Sequence, residues 1–252
     1  MRRIFFLIIP LIFLSSQNSY ATNGGRNLTV FAEPNLALAL TKIARIYSQK
    51  SRTNVSVNFN SSADLIAEID SGEPADIFIS AHPQWIESLR QKGLVDVYNI
   101  GFIARDKLVL VASKTNIGQA ANSSLENVLK TLDQARAALI IDNEGMSSGF
   151  FARNFLSPLE LNNISLFGKL TEDKTTLLTS VKSNNQNYAL LLASQVNNEP
   201  TLQIIAKSSG EDIFYQSLVI AGDNMEVARE FLKFLKGADA KSILKESGFL
   251  TD

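Results

Sequence analysis

Short apolar runs of strand length recur along this chain, and a helix-length segment separates most of them. "LTVFA" (28–32), "VSVNF" (55–59), "ADIFIS" (75–80), "KLVLVAS" (107–113), "AALII" (137–141), "YALLLA" (188–193), "LQIIAK" (202–207) and "SLVIAG" (217–222) read as strands. Helical spacing falls at 35–47, 63–69, 83–92, 125–132, 150–156, near Ser165, and at 176–182, 226–235 and 238–246. Pro83 stands at the first position of its helix, where its missing N–H costs nothing. Strands alternating with helices of this length predict an α/β fold of mostly parallel sheets flanked by helices.

The N-terminus lies outside that pattern. Met1-Arg2-Arg3 is a positive segment, "IFFLIIPLIFL" (4–14) is apolar, and Ser19-Tyr20-Ala21 is a small-x-small site. Together they predict a secretory signal peptide over 1–21 with cleavage after Ala21. The apolar run is shorter than the ~20 residues that span a bilayer. Removing 1–21 leaves 22 basic against 25 acidic residues and no cysteine. With no basic block, nucleic acid is not an expected partner.

Three of the strand-to-helix turns share one chemistry. They are "AEPNLAL" after the first strand, "NSSADL" (60–65) after the second, and "EGMSSGFF" after the strand at 137–141. Each bears hydroxyls or amides that can cap its own helix. Parallel strands also bring such turns to one sheet edge, where open α/β sheets bind ligands. Helix N-termini there suit an anion held by N–H groups and dipoles.

"GMSSG" (145–149) also matches G-x-S-x-G, the turn that presents a hydrolase serine. That reading makes Ser147 a nucleophile. It lacks a base in the required order, because the single histidine, His82, precedes the serine. The other reading is a cradle, with Gly145 and Gly149 letting backbone approach a ligand.

The stretches "LTVFAEPNLALAL" and "VNFNSSADLIAEIDSGEPADIFISAHPQWIESL" and the closing "GFL" resemble the periplasmic molybdate-binding proteins of ABC transporters. The resemblance implies a type II periplasmic-binding-protein fold. Its lobes would be 27–104 plus 213–252 and 105–212, with hinges near 104–107 and 211–216. It implies a protein that is not an enzyme and has no cofactor. Its ligand would be molybdate or tungstate, its partner an inner-membrane ABC permease, its state monomeric and its place the periplasm.

The resemblance also maps contacts onto Asn35, Ser61, Ser62, the backbone of Ala81, Ser148 and Lys174. Asn35 stands where the family has serine, Ser148 where it has alanine, and Lys174 where it has valine. Leu192 replaces a tyrosine whose hydroxyl meets the anion, and Ser148 is the candidate replacement donor. These departures leave sulfate or an organic anion open as ligands beside molybdate. Trp85, after Pro83, is expected to pack in the core.

Overall fold

The computed structural model describes residues 26–96, 98, 100–115, 124–167, 174–184 and 186–251. The expected signal peptide lies outside them. Two five-stranded sheets organise the chain. The first is built from β1 (Arg26–Ala32), β2 (Thr53–Phe59), β3 (Ile77–Ser80), β4 (Gly101–Asp106) and β10 (Ile213–Val219), in the order β2-β1-β3-β10-β4. The second contains β5 (Leu108–Ser113), β6 (Ala138–Ile141), β7 (Ser165–Phe167), β8 (Asn187–Leu192) and β9 (Leu202–Lys207), in the order β7-β6-β8-β5-β9.

Helices cover these sheets. The first sheet carries α1 (Ala37–Ser51), α2 (Ser62–Asp70), α3 (Pro83–Gln91), α8 (Met225–Leu235) and α9 (Ala238–Glu246). The second carries α4 (Leu125–Gln134), α5 (Ser147–Leu156), α6 (Lys174–Ser183) and the single turn α7 (Ala193–Val196). The central strands are buried on both faces, which is why β3 and β5 read as unbroken apolar runs. Strand β2, at an edge, alternates instead.

In each sheet one strand runs against the other four. Strand β10 is antiparallel to β3 and β4, and β5 is antiparallel to β8 and β9. The sheets are therefore mostly parallel, but they are not a simple series of βαβ units. Three local expectations differ from the structure. The helix expected near Ser165 is the edge strand β7, parallel to β6. Strand β4 was not expected, and β10 begins at Ile213 rather than 217.

The chain leaves the first sheet after Asp106 and returns to it at Ile213. Ion pairs pin these crossovers together: Asp212 Oδ2 lies 2.7 Å from Arg105 Nη1, and its Oδ1 lies 2.8 Å from Lys107 Nζ. The Lys107 bond, above all, holds the Asp212 carboxyl below its ordinary range. Trp85 packs partly buried in a cluster with Phe31, Phe78 and Leu89, as expected of a large aromatic.

Candidate functional site

The three turns meet between the two sheets, and a carboxylate lies at their centre. Glu33 follows β1 directly and is only 1 % exposed. Its Oε1 accepts from Ser62 Oγ at 2.5 Å, Ser147 Oγ at 2.6 Å, Ser80 Oγ at 3.0 Å and Ser147 N at 3.3 Å. Ser62 and Ser80 belong to the first sheet's elements and Ser147 to the second's. A single oxygen thus gathers donors from both.

Local sequence explains why those donors are available. Helix α2 has its own cap: Ser61 Oγ accepts from Asp64 N and donates to Asp64 Oδ2, so Ser62 is free to point inward. Helix α5 has none, because Met146 stands at its N-cap. The Ser147 N–H at the positive end of α5 is satisfied by Glu33 instead. Ser80 ends β3, and its Oγ also accepts from His82 N at 2.8 Å.

Around this centre lies a second layer of polar groups. Asn35 Nδ2 donates to Tyr215 Oη and, at 3.2 Å, to Ser194 Oγ. Ser148 Oγ donates to Asp142 Oδ2 at 2.6 Å, and Gln195 Nε2 donates to the same oxygen at 3.2 Å. Asp106 accepts from Lys107 N and from Ser194 N. Asn35 Oδ1 and His82 Nδ1 are buried without a hydrogen-bond partner.

Burial dominates the protonation of this region. It raises the carboxyls of Glu33 and Asp142, although hydroxyl donors oppose the shift, and it pushes Asp106 up to about 6. Burial, with Glu33 and Asp106 nearby, raises the Tyr215 hydroxyl. Burial lowers His82.

Each expected contact residue can now be placed. Ser62 points into the centre. Asn35 and Ser148 border it, with their donors given to Tyr215, Ser194 and Asp142. Ser61 is occupied in capping α2. Ala81 is buried just after β3. Lys174 starts α6, and its side chain lies outside what is described. Leu192 packs in the apolar core, so it supplies no hydroxyl. The buried phenol bordering the site is Tyr215, on β10.

Three central residues were not expected as contacts: Glu33, Ser80 and Ser147 as a donor. An acid wedged between a buried strand and Pro34 was the available signal for Glu33. The expectation for the glycines needs correction. A Cβ on Gly149 would lie 1.9 Å from Asn143 O, so this glycine lets α5 approach protein backbone, not a ligand. A Cβ on Gly145 would lie 2.9 Å from Ala63 Cβ, on α2 across the junction. Ser147, the G-x-S-x-G serine, donates to Glu33, while His82 Nε2 pairs with Glu144 O at 3.1 Å.

Comparison with known proteins agrees with this architecture. The chain is 29 % identical over 245 residues to the molybdate-binding protein ModA of Escherichia coli K12, covering 95 % of this chain and 94 % of that one. It is 26 % identical over 231 residues to the molybdate-binding protein ModA of Haemophilus influenzae, covering 88 % and 89 %. The periplasmic molybdate-binding protein of Azotobacter vinelandii shares the fold, with a TM-score of 0.67 at 19 % identity over 89 % of this chain and 99 % of that one. So does the structure described as the tungstate ABC transporter from Geobacter sulfurreducens, with a TM-score of 0.72 at 14 % identity over 87 % and 98 %. The family model for bacterial extracellular solute-binding proteins matches residues 28–250, and the chain belongs to that family.

Proposed function

We propose that this protein captures a small tetrahedral oxyanion, molybdate or tungstate, outside the cytoplasmic membrane and delivers it to an ABC permease. The observation that carries this reading is the donor set around Glu33 Oε1. Three hydroxyls and a helix N-terminal N–H converge on one carboxyl oxygen, with no Lys or Arg pairing to it among the described residues. Donors arranged this way hold an oxyanion by hydrogen bonds and dipole alone. The relatives named for molybdate support the choice of anion.

In this reading the lobes are 27–104 plus 213–252 and 105–212, and they close over the anion. Ser62 and Ser80 bind from one lobe and the Ser147 hydroxyl and N–H from the other. Asn35, Ala81, Ser148 and Lys174 shape the rim. Residues 1–21 direct export and are removed, and the periplasmic protein acts as a monomer. Nothing in this cycle makes or breaks a covalent bond, and no cofactor takes part.

Isothermal titration of residues 22–252 with molybdate, tungstate and sulfate at about pH 5.5 and about pH 8 tests the proposal. The expected result is a Kd of about 1 μM or tighter for molybdate and tungstate at the acid pH, with sulfate much weaker. Equal binding of sulfate would overturn the choice of anion. No heat from any of the three at either pH would overturn the oxyanion reading itself.

A further inference from the structure

The seat that this reading assigns to a solute already holds a carboxyl group, and that group is part of the chain. Glu33 Oε1 takes the donors of Ser62, Ser80 and Ser147. A solute oxyanion needs the same donors. Two negative groups cannot share this buried ring at close range, because each would lose water and face a like charge. We propose that Glu33 determines which charge state the site accepts: each oxyanion enters together with one proton, and that proton resides on Glu33. This inference rests on the oxyanion reading above and deepens it.

The geometry supports a carboxylic acid at this position when the anion is seated. A protonated Glu33 holds the serine donors more weakly than a carboxylate would, so an incoming anion can take them. Glu33 then becomes a donor itself, able to bond an oxygen of the incoming anion. Burial already favours its neutral form. No ion pair to Lys or Arg holds it ionised among the described residues.

Other titratable groups lie nearby on each packed element. They are Tyr215 on β10, Asp106 at the end of β4, His82 before α3, Asp64 on α2, and Asp142 and Glu144 before α5. Asp142 and Asp106 have their own donors in Ser148, Gln195, Ser194 and the Lys107 N–H. Asp64 is bonded to Ser61. Glu33 alone among these acids takes the donors of the central ring.

Binding favours protonated Glu33, so affinity is highest at low pH and falls as pH rises through the free protein's Glu33 pKa. Above it, one linked proton gives about a tenfold loss of affinity per pH unit. Molybdate is a fully ionised dianion over the range used, so the proton must come to the protein.

Titration of molybdate into wild type, Glu33→Gln, Glu33→Ala and Asp106→Asn from about pH 5.5 to about pH 8.5, in buffers of different ionisation heat, tests this. The expected result for wild type and Asp106→Asn is a proton uptake that climbs with pH towards one per anion above the free protein's Glu33 pKa, and none for the Glu33 variants. Those variants should show flat profiles and bind at least ~10-fold more tightly than wild type at the alkaline end.

Wild-type binding that is independent of pH, or a slope that survives in Glu33→Gln and Glu33→Ala, would overturn the inference while leaving oxyanion binding intact. Loss of binding in both Glu33 variants, with wild type still binding, would also overturn it. Silence of every protein at every pH would remove the oxyanion reading and this inference with it.

Discussion

Gly149→Ala should lower stability by about 3 kcal/mol, the upper part of the usual overpacking range. For a chain of this size that is a fall of roughly 6–12 °C in melting temperature. The added Cβ would stand 1.9 Å from Asn143 O, 2.6 Å from Asn143 C and 2.6 Å from Asp142 O. All three are backbone atoms of the β6–α5 loop, so no side chain can rotate away. Helix α5 must shift, and with it the Ser147 N–H, the Ser147 hydroxyl and Ser148. A thermal melt of the variant checks this directly. A melting temperature within a degree of wild type would show that α5 does not press on that loop. The second glycine of the G-x-S-x-G match is thus required by packing, whatever the serine does.

Asp106→Asn should change how stability varies with pH. The folded Asp106 carboxyl is pushed up to about 6 by burial, from an ordinary value of 3.8. Folding therefore favours its protonated form. The stabilisation from this group is fully present below about pH 3.8 and is lost as pH rises through about 6. A difference of this size corresponds to on the order of 3 kcal/mol between the two protonation states. Asparagine keeps a neutral group there at every pH. Relative to wild type, the variant should therefore gain about 5–10 °C in melting temperature between pH 4 and pH 7. Melts of both proteins across that range give the answer. A constant difference between them would mean that the carboxyl is no harder to ionise in the fold than in the open chain.

Much of the fold is legible in local pattern, and the exceptions have physical causes. The buried runs in β1, β3, β5, β6 and β8 stand out because both faces of their sheets are covered. Strand β4 does not, because "GFIARD" sets an exposed Phe102 and the ion-paired Arg105 among its buried residues. Strand β7 has only three residues, too few to show a period. The reversed directions of β5 and β10 could not be read, since alternation fixes which face a side chain takes but not which way a strand runs.

The site shows the same division. Ser62 is found by asking which groups lie at a helix N-terminus. Ser61 answers the same question, and its hydroxyl caps the helix while Ser62 points inward. Glu33 was missed because an acid beside a proline reads as a surface turn. Two of its four donors come from Ser147, 114 residues further along the chain, and no local window contains both. Tyr215 escaped for a related reason: its phenol reaches Asn35 from a strand 180 residues away.

The proposed oxyanion seat is the ring of Ser62, Ser80 and Ser147, which Glu33 occupies in this structure. The most direct measurement is a crystal structure of the protein grown with molybdate at about pH 5.5, with anomalous data collected at the molybdenum edge. The expected result is one strong anomalous peak between the sheets, with oxygens within hydrogen-bond distance of Ser62 Oγ and Ser147 N and the Glu33 carboxyl moved off that ring. A molybdenum peak elsewhere, with Glu33 still bonded to the three serines, would contradict it.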